Sequence, residues 1–209
     1  WLGQDHQGTL DLTAVALGAG DVVGDAPASE LGGPSPPPPP PPPPSGSAVS
    51  LDLDGAGEQL GTAQPRVLGM GDDFTISLWI KPGSLNAERG MFDAFAPGAN
   101  LNRSRVAIWS RGHLSGDPIR VAFWGDDGSL IQAKDYAGRQ ASGRWLHVVV
   151  ARAGGGIRPY FDGVPTSPSY QTSLSSGVMT DRAREVVIGA QFTRLAKFFD
   201  GRLGYMAIW

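Results

Sequence analysis

The sequence predicts an all-β fold, an antiparallel two-sheet sandwich preceded by a polyproline II rod and one N-terminal strand. Three observations carry this. Short alternating apolar runs recur from Ala48 to the end, glycine-rich turn signals separate them, and nine consecutive prolines stand before them. The 209 residues suffice for one sandwich of about 150 residues plus an appendage.

Residues 1–33 form an extension with a single credible strand, Thr9 to Leu17, bounded by glycines. One strand cannot fold alone, because its ladder groups stay unpaired. It is expected to dock on a sheet of its own domain or of a neighbouring subunit. Residues 34–47 are the rod. Its core is Pro36, Pro37, Pro38, Pro39, Pro40, Pro41, Pro42, Pro43 and Pro44, flanked by Gly33-Pro34-Ser35 and Ser45-Gly46-Ser47. Proline fixes φ and has no amide donor, so the run is a stiff left-handed helix spanning roughly 28 Å at ~3.1 Å per residue.

Residues 48–209 are the sandwich. Strands are expected at Val49 to Leu53, Phe74 to Ile80, Val106 to Trp109, Ile119 to Trp124, Trp145 to Ala151, Ile157 to Phe161, Val186 to Ile188 and Leu203 to Trp209. Asp54-Gly55, Asp127-Gly128, Gly154-Gly155-Gly156 and Asp162-Gly163 are turn signals, since glycine takes positive φ without steric cost. No stretch longer than two turns shows a helical stripe. Such strands bury one face each when two sheets pack together.

Composition excludes several functions. Lys and Arg total 17 against 20 Asp and Glu, so no broad basic field invites nucleic acid. There is no cysteine, hence no disulfide, thiolate metal site or cysteine nucleophile. No apolar run approaches the ~20 residues that span a bilayer, so membrane insertion is not expected. The start at Trp1 has no signal-like character and reads as a mature protein or a fragment.

Catalytic patterns are also lacking, and the expectation is a non-enzyme. The glutamates are Glu30, Glu58, Glu88 and Glu185, and none has a second acid at alternating spacing in a strand, as a pair of glycosidase carboxylates needs. Adjacent Asp72-Asp73 and Asp126-Asp127 read as turns. His6, His113 and His147 are scattered, with no metal or base arrangement. His147 is expected to be a buried structural residue.

Four stretches resemble the laminin-G-like jelly rolls of the concanavalin-A-like lectin and glucanase superfamily, and they fall in that family's order. They are Phe74-Thr75-Ile76-Ser77-Leu78-Trp79-Ile80-Lys81-Pro82, Trp145-Leu146-His147-Val148-Val149-Val150-Ala151-Arg152, Ile157-Arg158-Pro159-Tyr160-Phe161-Asp162-Gly163-Val164 and the closing Phe199 to Trp209. The resemblance covers most of residues 48–209 and implies an antiparallel jelly roll. It also implies one calcium ion held by loop acids, for which Asp52, Asp54 and Asp200 are the candidates. The sequence departs from the pattern at Gly204-Tyr205, where many relatives carry an Asp-Glu pair, and at Glu58-Gln59, which replaces the usual acidic and aromatic residues after the first Asp-Gly. No other cofactor is implied.

A sugar-binding face needs exposed aromatic rings beside polar groups, and Tyr136, Tyr170, Trp109 and Trp124 are the candidates. Asn102-Arg103-Ser104 is an acceptor for N-glycosylation. Ser35 followed by Pro36 to Pro44 is similar in composition to the hydroxyproline-rich glycoproteins of plant and green-algal walls, which would attach sugars along the rod. Two functions follow. The first is a non-catalytic, extracellular or cell-surface structural protein, a glycosylated jelly-roll subunit that self-associates into a homo-oligomer or filament through its N-terminal segments. The alternative is a lectin-like carbohydrate-binding module on a rigid linker. Removing residues 1–47 separates them: a lectin keeps its ligand, whereas an assembly protein loses self-association.

Overall fold

Burial on both faces of long, apolar strands organises this chain. A computed structural model describes residues 50–61, 66–67, 73–96, 105–154, 156–173, 177–180, 182–191 and 197–209. The strand Thr9 to Leu17, the rod, Ser35 and Asn102 lie outside the described residues.

Fourteen strands are described, with no helix among them: β1 (Leu51–Asp54), β2 (Leu60–Gly61), β3 (Arg66–Val67), β4 (Phe74–Pro82), β5 (Glu88–Phe95), β6 (Val106–Arg111), β7 (Ile119–Trp124), β8 (Leu130–Tyr136), β9 (Leu146–Ala153), β10 (Gly156–Phe161), β11 (Val164–Pro165), β12 (Tyr170–Ser173), β13 (Ala183–Ile188) and β14 (Asp200–Ile208). They form two antiparallel sheets. One has six strands in the order β1-β14-β4-β9-β10-β11. The other has eight, in the order β12-β8-β7-β6-β5-β13-β2, with β3 also pairing β13. The first and last strands are neighbours, Leu51 opposite Leu203.

The core lies between the sheets. Phe74, Ile76, Leu78 and Ile80 of β4 point inward together with Leu146, Val148 and Val150 of β9, the alternation that the sequence predicts. Val106, Ile108, Val121 and Phe123 meet them from the other sheet. Phe74 and Phe123 cross edge to face at 5.5 Å, tying the two layers. Each such side chain contributes about 1.5–3 kcal/mol when fully buried. The Asp162-Gly163 turn joins β10 to β11 with φ of 51° and 77°, the left-handed pair that a two-residue hairpin requires.

Each of the eight strands expected within residues 48–209 forms, and six more are described. β5 and β8 are long strands that alternation misses because a bulge interrupts the ladder, between Gly90 and Phe92 in one case and between Phe123 and Trp124, against β8, in the other. β2, β3 and β11 have two residues each and leave no periodic signal.

Candidate functional site: the outer face of the eight-stranded sheet

Because side chains alternate, the residues between the core positions of the eight-stranded sheet point outward and form cross-strand rows. One row runs Tyr170, Asp135, Arg120, Trp109 and Gly90 across β12, β8, β7, β6 and β5. The next runs Thr172, Ala133, Ala122, Ala107 and Asp93 across the same strands. Trp124 and Leu130 are paired one step further on. The alanines make a low floor, and this gives two indoles room to lie side by side. Trp109 and Trp124 stack with centroids 6.3 Å apart and planes 22° from parallel. With Ala107, Ala122, Ala133 and Leu130 they form an apolar cluster of their own.

Charged groups frame this floor. Arg105 binds Asp93 through two parallel hydrogen bonds, Nε to Oδ1 at 2.9 Å and Nη2 to Oδ2 at 2.7 Å, and its guanidinium lies 4.5 Å from the Trp124 ring centre. Arg120 binds Asp135 in the same forked way, at 2.6 and 2.7 Å, and lies 5.8 Å from the centre of Trp109. Arg111 donates to the same Asp135 at 3.0 Å. Glu88 accepts the Trp109 indole N–H at 2.7 Å and pairs with Lys197 at 2.6 Å. Burial opposes the Glu88 carboxylate. Its hydrogen bonds from Lys197 and Trp109, with the charges of Lys197 and Arg111, outweigh this and hold its carboxyl below the usual range. That is the reverse of a general acid, whose pKa must be raised.

The predicted residues divide as follows. Trp109 and Trp124 come together on the outer face, with Trp109 buried and Trp124 half-exposed. Tyr170 is 57% exposed at the rim of the same face, beside Asp135. Tyr136 corrects the expectation: it is wholly enclosed in the core, its ring 5.6 Å from that of Phe161, and cannot stack on a ligand. Neighbouring Ile119, its cross-strand partner, faces the core, so the alternation of β8 carries Tyr136 inward and Asp135 outward. Burial and the adjacent Asp135 push its phenol well above the ordinary tyrosine range. The sequence reading missed Arg105, Arg111, Arg120, Asp135, Glu88 and Lys197. Their only trace is the outward alternation of Arg120, Ala122 and Trp124 in β7.

The residues proposed for calcium do not fit that ion. Asp54 and Asp200 are directly opposed in the β1–β14 pair, but each carboxylate already has a partner of its own, Asp54 in the turn after β1 and Asp200 in the loop after β4. Asp54 accepts the Ala56 N–H at 2.7 Å, and Asp200 accepts the Ser84 hydroxyl at 2.5 Å. Asp52 is exposed and pairs with Arg202 across the strands. Among the described residues no three acids or histidines converge as a metal needs.

A laminin G family model of the concanavalin A-like lectin/glucanases superfamily matches residues 54–209, and the chain belongs to that family. Several solved structures share the fold. A CBM40 domain of the Ruminococcus gnavus IT-sialidase, bound to alpha2,3 sialyllactose, is 13% identical with a TM-score of 0.54, over 77% of this chain and 91% of that one. The heptameric SAP-like pentraxin of Limulus polyphemus is 17% identical with a TM-score of 0.54, over 78% of this chain and 76% of that one. Domains LG4-5 of the mouse laminin alpha1 chain give 11% identity and a TM-score of 0.58, over 78% and 42%. No curated protein sequence matches the chain.

Proposed function

We propose that this chain is a non-catalytic, extracellular carbohydrate-binding domain that holds a sugar on the outer face of its eight-stranded sheet. One observation carries the reading: the exposed Tyr170 ring stands beside the forked Arg120–Asp135 pair, with the half-exposed Trp124 further along the same face. Aromatic rings take the apolar C–H face of a pyranose, and forked ion pairs offer donors and acceptors to hydroxyls. Family membership supports it, as does the shared fold of the domain bound to sialyllactose. The assembly reading rests on the strand Thr9 to Leu17 and the proline segment, both outside the described residues. Glycosylation at Asn102, Ser35 and Pro36 to Pro44 stays a separate proposal, tested by mass spectrometry of the native protein.

A glycan array with the full chain identifies ligands, and calorimetry ranks variants on the best one. Tyr170→Ala and Trp124→Ala should each weaken binding roughly tenfold, since a ring contact is worth about 0.5–1.5 kcal/mol beyond its area. Unchanged affinity in both variants moves the site elsewhere.

A further inference from the structure

A guanidinium lies beside the corner where Asp54 and Asp200 face each other across β1 and β14. Arg89, in the second position of β5, reaches from the eight-stranded sheet toward the end of β1 in the other. Its Nη1 donates to the carbonyl of Phe198 at 3.0 Å and, more loosely, to that of Gly55 at 3.4 Å. Gly55 follows Asp54 in the turn after β1, and Phe198 precedes Asp200 at the start of β14. One cation therefore bridges the two segments that carry the opposed acids.

The sequence makes room for it. A side chain at Gly55 would place its Cβ 2.9 Å from Arg89 Nη1 and 3.0 Å from the Asp200 Cβ, and φ there is +77°, which disfavours any other residue. Glycine thus lets guanidinium, carbonyl and acid share one corner. Backbone carbonyls and nearby carboxylates are what a loop-bound calcium uses, and here the carbonyls already face a fixed positive charge. A divalent ion at that spot would meet a like charge within a few ångströms and would have to break both hydrogen bonds.

We infer that Arg89 is a built-in cation that ties the β1 turn to the start of β14 in place of a metal ion, so the domain is stable without calcium. This does not depend on what the outer face binds.

Thermal unfolding of the full chain tests it in two arms. With calcium or with EDTA the wild-type Tm should coincide within about 1 °C. Arg89→Met, which keeps the stem and removes the charge and donors, should lower Tm by roughly 4–8 °C, because two part-buried carbonyls lose a charged donor in a chain of this size. A calcium-dependent rise of several degrees in the wild type overturns the inference, and so does an Arg89→Met protein that melts with the wild type. Should that variant fail to fold, the wild-type arm alone still decides.

Discussion

His147 shows how a single side chain couples packing to pH. It points to the outer face of the six-stranded sheet, where its ring stacks on Trp79 at 4.8 Å, and its Nε2 meets the Ser77 hydroxyl at 2.8 Å. Only 3% of it is exposed, in keeping with the structural role read from the sequence, and Nδ1 is buried without a hydrogen bond. Burial pushes the imidazole below its ordinary value of 6.5, and the smaller pull of the Asp162 charge does not reverse this. The folded protein thus keeps His147 neutral while the unfolded chain protonates near 6.5. Stability from this residue is complete above that pH and declines below it, because the unfolded state then binds the extra proton. Tm measured from pH 8 to pH 5 should hold at the upper end and fall below about 6.5, and His147→Leu should flatten the acid limb. An unchanged acid limb in that variant would assign the decline to other groups.

At the scale of elements, the bulge in β5 decides where the outer face is. Gly90 sits at the bulge and lies directly against the segment after β13: a Cβ there would come 2.2 Å from the Ala190 carbonyl carbon and 2.4 Å from the Gln191 nitrogen. Those are backbone atoms and cannot swing aside. Gly90→Ala should therefore cost roughly 2–3 kcal/mol, read as a lower urea midpoint with an unchanged slope. The same bulge explains why β5 was hidden in the sequence while β4, β7 and β9 were plain. Alternation is legible only where the ladder is regular, and Glu88-Arg89-Gly90-Met91-Phe92-Asp93 shifts phase in its middle. The binding face was half legible for a related reason. Trp109 and Trp124 announce themselves as large rings in strands, but the Arg105–Asp93 and Arg120–Asp135 pairs, 12 and 15 residues apart, exist only once the register of β5 to β8 is set. Tyr136 was misjudged because position in β8, not residue type, chooses inside from outside.

For the whole molecule, the two sheets divide the work. The six-stranded sheet closes the fold by pairing β1 with β14 and carries the motif residues Trp79 and His147 on its outer side. The eight-stranded sheet carries the alanine floor, the stacked indoles and the ionic frame on its own. Net charge is −3 over the chain, whereas the outer face groups four cations with three anions, so local chemistry there is independent of the bulk balance. The most direct measurement is a two-dimensional NMR titration of the labelled full chain with the best glycan from an array. The account predicts that the Trp124 indole N–H and the amides of Ala133 and Thr172 shift, while those of β4 and β9 stay still. Shifts gathered on β4, β9 and β10, or no glycan that binds at all, would contradict it.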